Sequence, residues 1–327
     1  MGITESEKFY GWTPIRIYWR GKAPFVDWCY MGKERFTQPF FDLTIEQRLH
    51  KPFNLLFRHQ TPLEFLGELY EQSPGLAPTG FIFHMSRCGS TLVAQMLASI
   101  EKNIVISEAP PIDSVLRANI VSTSVTDEQR IEWLKWIIGA LGKRRNSEKY
   151  YFIKFDNWST LDMDLILRAF PEVPWIFLYR NPVEVIVSQM RQRGAPMIPG
   201  ALREMLPGMG LNDILQIPGE EYCARILERI CRTAISCAHK SSALVINYDR
   251  LPEAVTSDII GHFRAEFTPE EIERMQRKAQ FNAKERSFFF TPDGETKRKE
   301  ASEAAVRAAE KWANPVYEKL EKMSVSL

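Results

Sequence analysis

The stretch from Gly80 to Ser99 most constrains what this chain can fold into, because it joins three patterns in a short space. Phe81, Ile82 and Phe83 form an apolar run that predicts a buried strand. A small polar loop follows from Ser86 to Thr91, and apolar residues then recur at helical spacing, at Leu92, Val93, Met96 and Leu97. A strand, a tight loop and a helix start aim backbone N–H groups at one point, so the stretch predicts an anion-binding site.

The loop also carries side chains that suit phosphate-type oxygens. Arg87 adds a fixed positive charge, and Ser90 and Thr91 add hydroxyl donors. The motif of nucleoside-triphosphate loops ends in Gly-Lys-Ser/Thr, and this triplet does not occur in the sequence. A plain strand-to-helix turn would use Gly89 equally well, so the loop alone leaves both interpretations open.

Composition limits the partners that we expect. The chain has 327 residues with 45% apolar content and a net charge of +1, so no overall field favours nucleic acid or an anionic membrane. Five cysteines show neither a disulfide framework nor metal-ligand spacing, which favours a reducing compartment. The N-terminus has no apolar signal core, and no apolar run is long enough to span a bilayer. We therefore expect a cytoplasmic protein that binds neither nucleic acid nor membrane.

Strand patterns alternate with helix patterns through most of the chain. Predicted strands cover residues 81–83, 103–106, 151–155, 175–179 and 243–248, with helical periodicity between them. This alternation predicts an α/β fold of three layers, in which helices cover both faces of a mostly parallel sheet of about five strands. Residues 1–76 predict an aromatic-rich N-terminal extension packed on the domain formed by residues 77–327. Within the extension, 15–20 and 25–30 predict strands, and Thr61 predicts a helix cap.

A second cation lies at the end of another predicted strand. Arg180 follows the strand at 175–179, and Ser188 lies eight residues later in the next helix pattern. In parallel sheets the ligand lies at the carboxyl ends of the strands, so both side chains are placed to bind a second phosphate. A strand-to-helix turn with a surface arginine remains the alternative.

Two motifs together resemble those of sulfotransferases that use 3′-phosphoadenosine 5′-phosphosulfate (PAPS). Arg-Cys-Gly-Ser-Thr-Leu resembles the family's loop for the 5′-phosphosulfate, and Arg-Asn-Pro followed by a serine resembles its motif for the 3′-phosphate. The resemblance covers roughly residues 79–320 and implies a P-loop-type fold. It also implies that the cofactor-binding residues include Arg87, Cys88, Gly89, Ser90, Thr91, Leu92, Arg180 and Ser188.

The same resemblance implies roles for weaker matches. Glu108, twenty-one residues after Arg87, resembles the general base of the tyrosylprotein-type branch, and Lys154 resembles the lysine near the transferring sulfonate. With Arg87, these two form the predicted catalytic set. Tyr248 resembles a tyrosine near the nucleotide, and Thr296 with Lys311 resembles a pair that closes over the cofactor. No metal is implied.

The sequence departs from the family at several points. Cys88 replaces the usual serine, Ala109 and Pro110 replace polar residues, and residues 1–76 match nothing in the family. His84 is interpreted as a buried strand residue, and Trp175 as a core residue that is also a candidate to flank adenine. The Met-rich stretch from 196 to 219 is equally compatible with an acceptor wall and a surface loop.

The resulting expectation is sulfonate transfer from PAPS to a hydroxyl or amine of a small-molecule acceptor, with PAP as the second product. Two other classes stay open. One is an ATP-dependent small-molecule kinase with an atypical loop, which needs Mg²⁺ ligands and the Gly-Lys-Ser/Thr lysine. The other is a non-catalytic nucleotide-binding module, which needs the phosphate contacts of Arg180 and Ser188 but neither Glu108 nor Lys154.

Overall fold

The computed structural model describes residues 8–202, 205–239, 243–281 and 294–325. The first part of the chain forms a three-stranded antiparallel sheet in the order β1-β2-β3, namely β1 (Trp12–Arg20), β2 (Ala23–Tyr30) and β3 (His59–Pro62). The register pairs Arg20 with Ala23 across a tight turn. The two strands predicted in the extension are therefore confirmed, and β3 is an addition.

A second sheet forms the centre of the molecule. Its strands are β4 (Gly80–His84), β5 (Asn103–Ser107), β6 (Tyr150–Lys154), β7 (Trp175–Tyr179) and β8 (Ala243–Asn247). They are all parallel and lie in the order β5-β6-β4-β7-β8. The strand that precedes the anion loop is therefore central, and the loop emerges between the ends of β6 and β7.

Helices connect these strands. In chain order they are α1 (Phe41–Leu49), α2 (Pro52–Leu56), α3 (Glu64–Gln72), α4 (Ser90–Ala98), α5 (Pro110–Leu116), α6 (Ala118–Val121), α7 (Asp127–Leu141), α8 (Met163–Ala169), α9 (Pro182–Arg191), α10 (Leu211–Gln216), α11 (Gly219–Ala238), α12 (Ile260–His262), α13 (Pro269–Ala279), α14 (Gly294–Lys299), α15 (Glu303–Ala308) and α16 (Asn314–Val325). Short 3₁₀ segments lie at Asn157–Asp162, Ala195–Met197 and Tyr248–Arg250, and π-helical segments at Val255–Ile259 and Ala309–Ala313.

The strand sequences explain the layered arrangement. Every residue of β4, β5 and β7 is buried, so both faces of the central sheet are covered. Helix α4 packs against α13, and α11 packs against α9. Inside the core, Phe83 stacks on Phe155 with ring centroids 4.8 Å apart. The predicted three-layer α/β fold with a five-stranded parallel sheet is confirmed.

The N-terminal sheet lies directly on this core. Strand β1 contacts α5 and α7, and α3 contacts α7. Trp19 of β1 faces Trp133 of α7, with ring centroids 6.3 Å apart. Among the described residues, no helix is long and apolar enough to cross a membrane.

One local prediction was wrong. The helix predicted to be capped by Thr61 begins at Glu64, because Thr61 lies in β3 and its hydroxyl accepts a hydrogen bond from Trp28 Nε1 at 3.0 Å.

Candidate active site

The loop after β4 has an unusual backbone. Ser86 has φ of 96°, Arg87 of 50° and Gly89 of 80°, so three of four consecutive residues are left-handed. Glu108, which directly follows β5, has φ of 55°. Non-glycine residues adopt such angles at a cost and are held there by their surroundings, most often at functional sites. These strained residues meet at the carboxyl edge of the sheet.

Side chains from the adjoining elements hold the loop in this shape. Cys88 is fully buried, and its thiol donates to the carbonyl of Leu178 at 3.1 Å, while burial raises the pKa of the thiol to about 11. Gln189 Nε2 donates to Ser86 Oγ at 2.8 Å, and Arg87 donates to the carbonyl of Gln192 at 2.7 Å. The cysteine that replaces the family serine therefore anchors the loop to β7.

The helix that follows begins at the loop's glycine. Gly89 is the N-cap of α4, and Ser90, Thr91 and Leu92 form its buried first turn. A Cβ on Gly89 would lie 2.6 Å from Leu251 Cδ1 and 3.0 Å from Tyr248 Cδ2. Both its φ and this close packing require glycine. No side chain caps α4, so its first N–H groups point toward an approaching anion.

The second predicted anchor is a buried cluster at the end of β7. Arg180 is 4% exposed, and its Nε donates to Glu184 Oε2 at 2.7 Å. The other carboxylate oxygen of Glu184 accepts a hydrogen bond from Arg298 of α14. The guanidinium carbon of Arg180 lies 4.0 Å from the ring centroid of Tyr248. Arg180 and Tyr248, both predicted from the sequence, therefore lie together beside Gly89.

The remaining predicted cofactor residues lie on α9, on α14 and on the π-helical segment at Ala309–Ala313. Ser188 is half-buried on α9, one helical turn beyond Glu184. Thr296 is exposed on α14, two residues before Arg298, and the segment that carries Lys311 contacts α9 and α11. Lys311 itself is exposed, with its Nζ 5.2 Å from the ring of Trp312.

Glu108 and Lys154 form an ion pair at the ends of β5 and β6. The backbone N–H of Glu108 donates to the carbonyl of Lys154 at 2.8 Å, and Lys154 Nζ donates to Glu108 Oε1. Lys154 is 1% exposed, and its Nζ lies 5.2 Å from the ring centroid of Phe40. Both members of the predicted catalytic pair are thus in contact.

His84 completes this group. Its Nδ1 accepts a hydrogen bond from the N–H of Ser86 at 3.2 Å, so in the neutral ring Nε2 carries the proton. That Nε2 lies 3.1 Å from the carbonyl of Phe155 and 3.6 Å from Glu108 Oε1. Burial lowers the pKa of His84, and the nearby charge of Lys154 lowers it further, which favours the neutral form. The sequence interpretation as a buried strand histidine describes its location but misses its contact with Glu108.

The surroundings of Glu108 set its protonation. Burial alone would raise its pKa, but the charge of Lys154 and the contacts with His84 outweigh burial and lower the pKa to about 2. The neighbouring lysine is the main influence that lowers the pKa, so Glu108 is ionised.

Asp156 is a site residue that the sequence analysis missed. It lies two residues beyond Lys154 and is 9% exposed. Burial raises the pKa of Asp156 well above its usual range, and the charges of Glu108 and Asp113 raise it further. Asp113 accepts a hydrogen bond from Trp158 Nε1 at 2.6 Å. Residues two apart in an extended chain lie on the same face, so the spacing of Lys154 and Asp156 in the sequence indicated that a second carboxylate, besides Glu108, lies near Lys154.

Glu184 and Arg298 were also missed. Glu184 follows Arg180 at the i,i+4 spacing that favours an ion pair, so its role was readable from the sequence. Arg298 comes from a distant segment, and no local pattern connects it to Arg180.

Trp158 and Asp162 line a cavity of about 230 Å³. Its walls also include Leu116, at the end of the helix that starts after Glu108, and Met205. Met197 is fully buried in the core, and Met205 is 1% exposed although it lines the cavity. In the Met-rich stretch, Met205 therefore contributes to a cavity wall and Met197 to the core.

Trp175 is 1% exposed and packs edge-on against Phe83, with centroids 6.0 Å apart, as expected for a core residue. Among the residues that the structure describes, no group of three or more His, Cys, Asp or Glu is arranged to hold a metal ion.

No family model and no curated protein sequence matches the chain. Among solved structures it is similar to the sulfotransferase domain of the olefin synthase from Synechococcus PCC 7002, at 16% identity and TM-score 0.43 over 73% of this chain and 96% of that chain. It is also similar to a sulfotransferase from Mycobacterium avium, at 10% identity and TM-score 0.41 over 76% of this chain and 81% of that chain. A sulfotransferase from Alicyclobacillus acidocaldarius is similar at 12% identity and TM-score 0.38, over 62% of this chain and 93% of that chain. Since these TM-scores are below 0.5, the fold assignment rests on strand order and register.

Proposed function

We propose that this protein is a sulfotransferase that moves a sulfonate group from PAPS to a hydroxyl or amine of a small molecule. One observation carries the proposal. The left-handed loop, the buried Arg180 and the Glu108–Lys154 pair come from three distant parts of the chain and converge at one edge of the sheet. This is the set of groups that a ligand with two separate phosphates and a transferable anion requires.

The residues present fit PAPS. The loop offers the first N–H groups of α4 for the 5′-phosphosulfate, and glycine at position 89 leaves room for the side chains of Leu251 and Tyr248 that pack against it. Arg180, held by Glu184, is placed for the 3′-phosphate together with Ser188. The ring of Tyr248, which covers Gly89 and Arg180, is placed for the nucleotide. Thr296 and Lys311 are proposed to close over it.

The chemistry needs a proton acceptor and local positive charge. PAPS, when bound, supplies the sulfonate and a phosphate leaving group. The acceptor oxygen or nitrogen forms a bond to sulfur as the bond from sulfur to the phosphate oxygen breaks, and we assign the released proton to Glu108. Arg87 and Lys154 would stabilise the negative charge that shifts toward the leaving oxygen.

The ion pair adds a condition to this assignment. Because Lys154 is the main influence that lowers the pKa of Glu108, Glu108 is a weak base while the pair is intact. A sulfonate that attracts the ammonium of Lys154 would weaken the pair and raise the pKa of Glu108. Ligand binding and activation of the base would then be linked through Lys154.

The acceptor is proposed to be a small molecule. The cavity of about 230 Å³ begins at the far end of α5 from Glu108, about 10 Å away at 1.5 Å per residue, and neither Glu108 nor Lys154 lines it. The cavity is therefore separate from the proposed catalytic pair.

Thermal unfolding with PAP, ADP and ATP, with and without Mg²⁺, tests the cofactor. We expect PAP to stabilise the protein without metal, by about 2.7 kcal/mol at one hundred times its dissociation constant. Equal stabilisation by ADP and PAP would remove the 3′-phosphate role, and a requirement for ATP with Mg²⁺ would favour the kinase. A binding module without activity would bind PAP but transfer no sulfonate to any small alcohol or amine.

A further inference from the structure

In the segment from Lys51 to Gln60, apolar side chains are exposed and a polar side chain is buried, which is the reverse of the usual pattern. Nine of its ten residues are exposed, and the exception is the polar Asn54, which is 1% exposed. After Asn54, three consecutive large apolar side chains are exposed: Leu55 by 60%, Leu56 by 78% and Phe57 by 54%. Phe53, which precedes Asn54, is 45% exposed, and its ring packs against Tyr30 and Phe57 with centroids 4.9 Å from each. Contiguous exposed apolar surface of this kind marks an interaction site more often than chance exposure does.

Asn54 fixes the segment in this orientation. Its Nδ2 donates to the carbonyl of Tyr30 at 2.9 Å and to the carbonyl of Arg48 at 3.0 Å, and its Oδ1 accepts from the N–H of Tyr30 at 2.8 Å. Two of these hydrogen bonds tie α2 to the last residue of β2, and the third ties it to α1. The apolar side chains are held outward by a buried polar anchor, so the exposed surface is a built feature of the fold.

Within residues 47–63 the charged side chains are all cationic. Residues 47–63 contain Arg48, Lys51 and Arg58 with two histidines and no Asp or Glu. Lys51 and Arg58 are exposed at the two ends of the apolar group, whereas Arg48 pairs with Glu34 at 3.4 Å. The net charge of +1 for the whole chain conceals this local excess.

We propose that the segment 51–58 is a membrane-binding tip that inserts its apolar side chains into the surface of an anionic bilayer. Apolar side chains would enter the boundary between headgroups and acyl chains, while the cations at both ends bind lipid phosphates. This membrane contact was not expected from the sequence, where only spanning length and overall charge were considered. It does not depend on the proposed sulfotransferase activity.

One feature favours an anionic bilayer over a second copy of this chain. In a symmetric dimer, the cations at the ends of the patch would face those of the second copy and repel them. The phosphates of an anionic lipid surface would instead attract Lys51 and Arg58.

Sedimentation of the full chain with lipid vesicles tests the proposal. We expect binding to phosphatidylcholine vesicles that contain about one-third phosphatidylglycerol, weak binding to phosphatidylcholine alone, and loss of the difference when NaCl rises from about 50 mM to about 500 mM, where screening shortens the range of the charges. Leu55→Asp/Leu56→Asp should weaken binding more than about 100-fold. Lys51→Ala/Arg58→Ala should weaken it about 30-fold, since each cation near the surface contributes about fivefold.

A matched control comes from a second exposed apolar pair. Ile120 and Val121 are 53% and 62% exposed on α6, and Ile120→Asp/Val121→Asp should leave vesicle binding unchanged. Circular dichroism and the melting temperature of each variant check that it folds. Absence of binding at low salt, or binding that survives the Leu55/Leu56 variant, would overturn the proposal. A dimer in sedimentation equilibrium that this variant dissociates would assign the patch to a second copy instead.

Discussion

Two buried ion pairs lie at the carboxyl edge of the central sheet, and they differ in how accessible the carboxylate is. Glu108 pairs with Lys154, and its side chain is 22% exposed on a residue with positive φ. Glu184 pairs with Arg180, is 2% exposed, and is also bonded to Arg298. A carboxylate that must receive a proton has to be reachable, whereas one that orients arginines works best when buried. The difference in exposure is consistent with the proposed chemical role of Glu108 and the proposed binding role of Arg180.

Replacement of Glu108 should give the largest effect. Glu108→Gln keeps the shape but removes the basic group, so we expect turnover to fall by about 10²–10⁴-fold with PAP affinity little changed. Single-turnover transfer and PAP titration on the same preparation measure both quantities. Turnover within a few-fold of wild type would show that Glu108 is not the base, and His84 would then be the next residue to replace.

Loss of Glu184 should act on stability. Glu184→Gln leaves the buried guanidinium of Arg180 without a full counter-charge, and we expect the free energy of unfolding to fall by about 3 kcal/mol, the lower end of the range for breaking a buried pair. Because the 3′-phosphate would supply the missing negative charge, saturating PAP should recover part of the loss. If PAP recovers nothing, the phosphate does not bind beside Arg180.

Removal of Arg180 should affect binding more than chemistry. Arg180→Ala should weaken PAP binding by about 1.5–3 kcal/mol, the contribution of a charge-assisted hydrogen bond, and Ser188→Ala by about 0.5–1.5 kcal/mol. Calorimetric titration measures both, and steady-state kinetics should show the change in the Michaelis constant for PAPS. An unchanged Michaelis constant with collapsed turnover would reverse the roles assigned to the two pairs.

The last prediction concerns acid pH. The folded-state pKa of Glu108, about 2, is lower than its ordinary value of 4.5, so the stability that the Lys154 pair contributes is fully present above pH 4.5 and is lost as the pH falls toward 2. The slope is at most about 1.4 kcal/mol per pH unit. Unfolding of wild type and Glu108→Gln should therefore converge as pH decreases from 6 to about 3. A constant difference across this range would argue against the ion pair.

The sequence predicts the sheet well and the contacts between distant segments poorly. Runs such as Trp175–Tyr179 are continuous and apolar because both faces are buried, so their strand bounds are readable from composition alone. Thr61 does not cap a helix because it lies in β3, where it is paired with β2. A local pattern cannot report such long-range competition.

The candidate site shows the same division. Arg87 and Arg180 were predicted because each lies in the segment after a strand, where the topology of a parallel sheet places functional residues, and Glu108 was predicted from the family resemblance. Gln192, the partner of Arg87, and Arg298, the partner of Glu184, were missed because their proximity depends on packing of helices and loops in three dimensions. The lowered pKa of Glu108 belongs to the same class, since it follows from a contact between β5 and β6.

The central position of β4 has a consequence for synthesis on the ribosome. All nine residues of α4 are buried in the finished protein, yet the strands that flank β4 are translated much later, β7 being complete only at Tyr179. At 5–20 residues per second, roughly 80 residues take about 4–16 s to add. For that time α4, which is proposed to bind the anion, is an apolar segment without its packing partners. We expect a chaperone that binds short hydrophobic stretches to bind it at Leu92–Leu97.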